Sequence, residues 1–227
     1  SRQMSRDAAI TVLDQLVGYL LVRAGCHAVP VDLERLARYL GVSAIERRPM
    51  GPEGFVESDE RGGYRVVLRA DRPPTRTRFS LAHELGHVVL ARLAGRPSFA
   101  LGRKLRESAV VSANFDEEAQ ADHLAGMILA PSSLLGARLP VDFSMRGISD
   151  VARECNVSIP TVLIRAMWFA TQPVIAFHLR LYDDQPSSLR CLWARSSRSA
   201  PFVSSADLLN VLNGKAAVEL PALPAKI

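Results

Sequence analysis

The chain has 227 residues, enough for one large domain or for a smaller one with appendages. Hydrophobic residues make up 48% and charged residues 22%, which excludes an intrinsically disordered chain and allows a core that needs no disulfide staples. The net charge of +5 concentrates between Arg61 and Arg106, where eleven basic residues meet two acidic ones. Such a run either attracts an acidic partner or nucleic acid, or is a solvated surface balanced by neighbours such as Glu107 and Asp116–Glu118. Cys26, Cys155 and Cys191 are too far apart in sequence to suggest a disulfide framework or a CxxC metal site. No apolar run approaches the roughly 18 residues of a membrane span. Ile10–Val22, broken by Asp14 and Gln15, has no signal-peptide layout. The expectation is a soluble protein in a reducing, cytoplasmic setting, away from membranes.

In chain order, residues 5–25 read as a helix, with Ile10, Leu13, Val17, Leu20 and Leu21 at helical spacing. A second helix, Leu33–Leu40, opens after Pro30-Val31-Asp32 and closes at Gly41. Gly54–Glu57 and Tyr64–Arg69 predict two strands joined by the turn-rich Ser58–Gly63. After Pro73-Pro74 a helix is predicted from about Thr77 to Ala94, then a loop over Gly95–Asn114, then a helix from Phe115 to Ala130 stopped by Pro131. Gly147–Phe169 is predicted helical with a break near Asn156, Pro173–Trp193 strand-like, and the Leu220–Pro224 tail loose. These elements describe an α+β chain. Its expected parts are a core of helices with a small sheet over residues 1–138, a helix-turn-helix-like unit over 139–170 and a short β-containing segment over 171–227.

The segment His83-Glu84-Leu-Gly-His87 is an HExxH motif. At about 100° per residue the two histidines lie one turn apart on one face, so both imidazoles can reach one zinc ion at about 2.0–2.1 Å. Glu84 projects beside them, placed to take a proton from water. Leu81, Leu85, Val88, Val89 and Leu93 would cover the other side of the helix and turn it into the core. With 5 His and 11 Glu in the chain, chance gives about 0.005 such motifs, which disfavours coincidence; the bland alternative is a pair of satisfied core histidines.

A catalytic zinc needs a third ligand. Glu118, Ala121, Asp122, Ala125 and Leu129 share one helical stripe, and the two alanines would let that helix approach the HExxH helix. Glu118 is therefore the candidate ligand. Asp122, one turn on, is the candidate acceptor for the free N–H of a liganding histidine. Alternatively, Asp116, Glu117 and Glu118 merely favour a helix N-terminus, which is the reading kept for the first two. His123 is the rival ligand but sits about 100° off the stripe. His27 and His178 have no motif around them.

Arg78-Phe79-Ser-Leu-Ala-His-Glu-Leu-Gly-His87, with Glu118-Ala-Gln-Ala-Asp122 and Ile128-Leu-Ala-Pro131, resembles the ImmA/IrrE family of cytoplasmic zinc metallopeptidases, similar to gluzincins in its HExxH-plus-Glu site. Pro30–Ala37 and Leu40-Gly-Val42 also look like that family's N-terminal region. The resemblance covers roughly residues 30–131. Leu124 and Ala130 depart from it, standing where the family more often has Phe and Met. It implies a zincin-like core, a Zn2+ cofactor (with Mn2+ as the alternative), and a helix-turn-helix repressor as substrate. Cleavage would relieve repression in stress response or mobile-element control.

Gly147–Arg165 scans as helix-turn-helix: Ala152 is the small residue of its first helix, Asn156 suits the turn, and Ser158 caps a second helix with Pro160 in its first turn. The second helix offers only Thr161 and Arg165 for contact with DNA, so a structural bundle is favoured over a groove-reading helix. Members of the family carry such a unit after the peptidase part, and in some a GAF-like sensor follows. The last 57 residues are too few for a full GAF fold and could be a truncated one. Two functional classes remain: a peptidase with Glu84 as general base, or a DNA-binding or anti-repressor protein whose zinc site is structural. The strand containing Tyr64, Val66 and Val67, just before the metal helix, is the expected place for an extended substrate to pair.

Overall fold

The computed structural model describes residues 2–59, 62–95, 115–138, 143–180, 190–197 and 200. Helix α1 (Arg2–Ala24) buries Ile10, Val17 and Leu21, an i, i+7, i+11 stripe. Asp32 caps α2 (Leu33–Tyr39), its carboxylate accepting the Arg35 N–H at 2.9 Å. Strand β1 (Val42–Arg48) follows, then the predicted hairpin of β2 (Gly54–Ser58) and β3 (Tyr64–Arg69). Asp59 closes the hairpin by accepting the Gly63 N–H on its side chain.

The sheet order is β1-β3-β2, with β1 parallel and β2 antiparallel to β3. This corrects one expectation. Strand β3 is central and hydrogen-bonded on both sides, with Val66 and Val67 at 0% exposure and Tyr64 buried, so no substrate can pair along it. A continuous apolar run such as Val66-Val-Leu68 suits a strand covered on both faces.

Helix α3 (Pro74–Leu93) carries the HExxH motif. Pro74 at its first position needs no N–H partner, and Ala94 ends it. From Ser80 to Ala91 most positions are buried, including Leu81, Leu85, Val88 and Val89. Leu93, expected in the same core, is exposed at the helix end. Helix α4 (Phe115–Leu129) packs along α3. A Cβ on Gly86 would come within 3.0 Å of the Ala121 carbonyl oxygen and 3.2 Å of Ala121 Cα, so this glycine sets the closest approach of the two helices. Leu124 and Ala130, the two departures from the family pattern, are both fully buried packing positions.

After a short helical turn, α5 (Ser132–Leu135), come α6 (Met145–Cys155) and α7 (Ile159–Trp168). Ser144 caps α6, and Asn156 ends it in a left-handed conformation at φ 52°. Ser158 accepts the Thr161 N–H at 3.4 Å at the start of α7. Strands β4 (Ile175–Arg180) and β5 (Arg190–Ser196) form a separate antiparallel pair.

The chain divides into two compact units, Ser1–Arg165 and Ala166–Ile227. Residues up to Arg165, including α6 and most of α7, thus belong to the unit that holds the HExxH helix. The expected loop over Gly95–Asn114 (Gly95 apart), the tail and most of the sensor-like segment lie outside the described residues.

Candidate metal centre

His83 and His87 face α4 from successive turns of α3, their Nε2 atoms 3.1 Å apart. Glu118, from the first turn of α4, places Oε2 at 3.3 Å from His83 Nε2 and Oε1 at 3.4 Å from His87 Nε2. Two donors about 2.0–2.1 Å from a tetrahedral ion stand about 3.3 Å apart, so these spacings are compatible with one metal ion such as zinc. Counting one donor atom per residue, all three stay within 4.8 Å of one another. Glu118 is 53% exposed, so its carboxylate has room to turn a single oxygen toward both rings. Among the described residues this is the group of His, Cys, Asp and Glu able to hold a metal ion, and it does not include His27, His123 or His178.

Asp122 lies one turn beyond Glu118, and its Oδ1 is 2.8 Å from His83 Nδ1. That carboxylate accepts the Nδ1–H, which fixes the tautomer and leaves the Nε2 lone pair pointing at the cup. The other histidine is held differently. His87 is 2% exposed, its Nδ1 has no hydrogen-bond partner, and the nearest carboxylate is Glu117 Oε1 at 3.9 Å. By its place in sequence Glu117 has only a helix-dipole role. In the fold it stands near the second histidine, too far for a hydrogen bond.

Glu84 is 5% exposed, on the flank of α3 that faces the β2–β3 sheet. Its Oε2 is buried without a hydrogen-bond partner. Burial pushes this carboxyl up to about 7, against the opposing pull of His87 and His83 and with a small push from Glu118. An unpartnered buried carboxylate oxygen is costly. Glu118 is displaced the other way: its hydrogen bond to His87 holds it below the usual carboxylate range, against burial. At His83 burial disfavours the charged ring, but Asp122, Glu84 and Glu118 together outweigh it and raise the imidazole.

Residues 37–167 match the sequence pattern of a peptidase family described as the IrrE N-terminal-like domain. The chain belongs to that family. The matched span of the IrrE-like domain runs from α2 through α7, so it contains the sheet, both metal-site helices and the helix-turn-helix-like pair. Among curated proteins none matches the chain. A solved structure of a Mycobacterium tuberculosis transcriptional regulator is similar, with a TM-score of 0.56 and 15% identity over 87% of this chain and 58% of that one. At that identity the likeness shows the fold, and this chain spans less than two thirds of the regulator's length.

Among the described residues, four arginines of the basic run are paired. Arg65 meets Glu46 and Glu57, Arg69 meets Asp71, and Arg72 and Arg76 share Glu53. Much of the described part of that run is therefore neutralised locally; Arg96–Arg106 lie outside the described residues. Both DNA-contact candidates of the helix-turn-helix are buried, Thr161 at 8% and Arg165 at 3% exposure. The Arg165 guanidinium donates to Asp14 at 2.5 Å and to the Ala130 carbonyl at 3.1 Å, and Asp14 also accepts from Ser132. It ties α7 to α1 and to the end of α4.

Proposed function

We propose that this chain is a zinc metalloendopeptidase in which Glu84 carries the proton. The observation behind the reading is the buried, unpartnered Glu84 carboxylate beside a His83–His87–Glu118 donor set spaced for one tetrahedral ion. When bound, zinc supplies Lewis acidity that activates water and polarises a peptide carbonyl. His83, His87 and Glu118 are the residues that would hold it. Asp122 keeps the His83 ring turned. Glu84 accepts the attacking water's proton on its carboxylate and delivers it to the departing amide nitrogen. A purely structural site would use the two histidines and Glu118 but has no need of a carboxylate in the Glu84 position.

We place the extended substrate on β2, the edge strand beside α3 among the described residues. Arg69 donates its N–H to the Glu53 carbonyl, so by the alternation of an antiparallel ladder Gly54, Val56 and Ser58 turn their backbone groups outward. A substrate strand pairing there would begin next to Glu84. The substrate proposed is a helix-turn-helix repressor, cut in the cytoplasm to relieve repression; the family resemblance supports this choice. The helix-turn-helix-like pair is read as a brace, because its candidate contact groups are buried in the domain.

The test is co-expression with each helix-turn-helix repressor encoded beside this gene, followed by mass spectrometry for one new N-terminus. Repression lifted while every candidate repressor stays intact would replace the peptidase by an anti-repressor.

A further inference from the structure

We infer that Gly54 is a positioning residue for Glu84: the lack of a side chain at this point of β2 is what allows the carboxylate its buried seat. The inference deepens the reading of Glu84 given above and rests on it. On the pleat of β2, Gly54 shares a face with Val56, which is 0% exposed, so that face is the inner one. A Cβ built on Gly54 would lie 2.8 Å from Glu84 Oε1, 3.2 Å from Glu84 Cγ and 3.2 Å from Leu68 Cδ2. Contact below 3.0 Å cannot persist, so something must move.

The surroundings decide what moves. Leu68 is fully buried in the central strand. The β2 backbone is pinned by its ladder to β3 and by the Arg69 N–H to Glu53 carbonyl bond at 3.0 Å just before Gly54. Helix α3 is locked against α4 at Gly86. The Glu84 carboxyl is the one loose end, since no hydrogen bond retains its Oε2. An added methyl is therefore accommodated by swinging that carboxyl away from its seat. Gly54 is not among the residues with positive φ, so alanine suits the backbone there, and the glycine is present for space rather than for a turn. Ordinarily alanine would strengthen a strand at such a position.

The experiment is a double-mutant cycle in the full chain, reading the thermal midpoint of wild type, Gly54→Ala, Glu84→Ala and the double variant. Gly54→Ala should be worse in the presence of Glu84 than in its absence by roughly 2–4 °C. A crystal structure of Gly54→Ala should show the Glu84 carboxyl displaced by about 1 Å or more with His83, His87 and Glu118 in place. Zinc content and KM should stay near wild type, while kcat falls about 10²-fold, the cost of misplacing a reacting group by that distance. Should Gly54→Ala fail to fold, the double variant must fold; its failure too would overturn the inference. Equal shifts in both backgrounds, or an unmoved carboxyl, would also overturn it. If the coupling and displacement are found but wild type cleaves no repressor, the positioning stands and the peptidase reading falls.

Discussion

Arg165 offers a direct test of whether α6 and α7 brace the domain that holds the metal-site helices or read DNA. Its side chain is 4% exposed and bonded to an Asp14 that is 18% exposed, to the Ala130 carbonyl and, through Asp14, to Ser132. Truncation to alanine leaves the Asp14 carboxylate in a poorly hydrated site without its counter-charge. Breaking one partner of a buried pair costs about 3–5 kcal/mol. In a chain of this size each kcal/mol shifts the midpoint by about 2–4 °C, so Arg165→Ala should lower Tm by roughly 6–20 °C. Arg165→Met with Asp14→Leu removes both charges together and should recover most of the loss. The assay is circular-dichroism melting, with duplex binding followed in parallel as salt is raised. Whatever weak binding exists should disappear with salt and be the same in the folded double variant. A Tm unchanged within about 1 °C, accompanied by loss of sequence-specific DNA binding, would refute the brace and restore the DNA-reading helix.

Other consequences follow from the site and the sheet. Purified protein should bind about one zinc per chain by the three-ligand geometry; His83→Ala or Glu118→Gln should remove most of it, whereas Asp122→Ala should weaken affinity about 10–100-fold, as checked by competition with a chromogenic chelator. Ser58→Pro removes an outward N–H from the β2 edge without touching the β3 ladder, and should raise KM about three- to tenfold with zinc retained, the worth of about one hydrogen bond. The Arg69 hydrogen bond holds the Asp71 carboxyl down at about 2, from an ordinary 3.8. Because the folded value lies below the unfolded one, this pair contributes to stability above about pH 4, and the contribution fades as pH falls toward 2. The difference in midpoint between wild type and Asp71→Asn should therefore shrink across that window, and a difference constant with pH would show that the pair is not formed.

How much of this was legible in advance depends on how local each signal is. The HExxH helix and the Glu118–Asp122 turn could be read because i, i+4 spacing on a helix is a property of a few consecutive residues. Gly86 and Gly54 could not. Each matters through an atom on another element, Ala121 in one case and Glu84 in the other, and a glycine carries no pattern of its own. Strand β1 is hard to read from sequence because its apolar alternation ends in Glu46-Arg47-Arg48. The central position of β3 was written in the run Val66-Val-Leu68, yet proximity to the metal helix drew it toward the substrate role that the free edge of β2 fits better. Glu117 has no stripe of small residues running on from it, so the sequence offers it only a helix-dipole role. In the fold its Oε1 stands 3.9 Å from the Nδ1 of His87.

The central claim, that Glu84 moves the proton while His83, His87 and Glu118 hold the ion, is tested most directly by Glu84→Gln. The amide fills the same space but cannot accept a proton from water. Zinc content and thermal midpoint of the variant should match wild type, while repressor cleavage under single-turnover conditions should fall by about 10²–10⁴-fold. Cleavage by zinc-loaded Glu84→Gln at the wild-type rate would contradict the account.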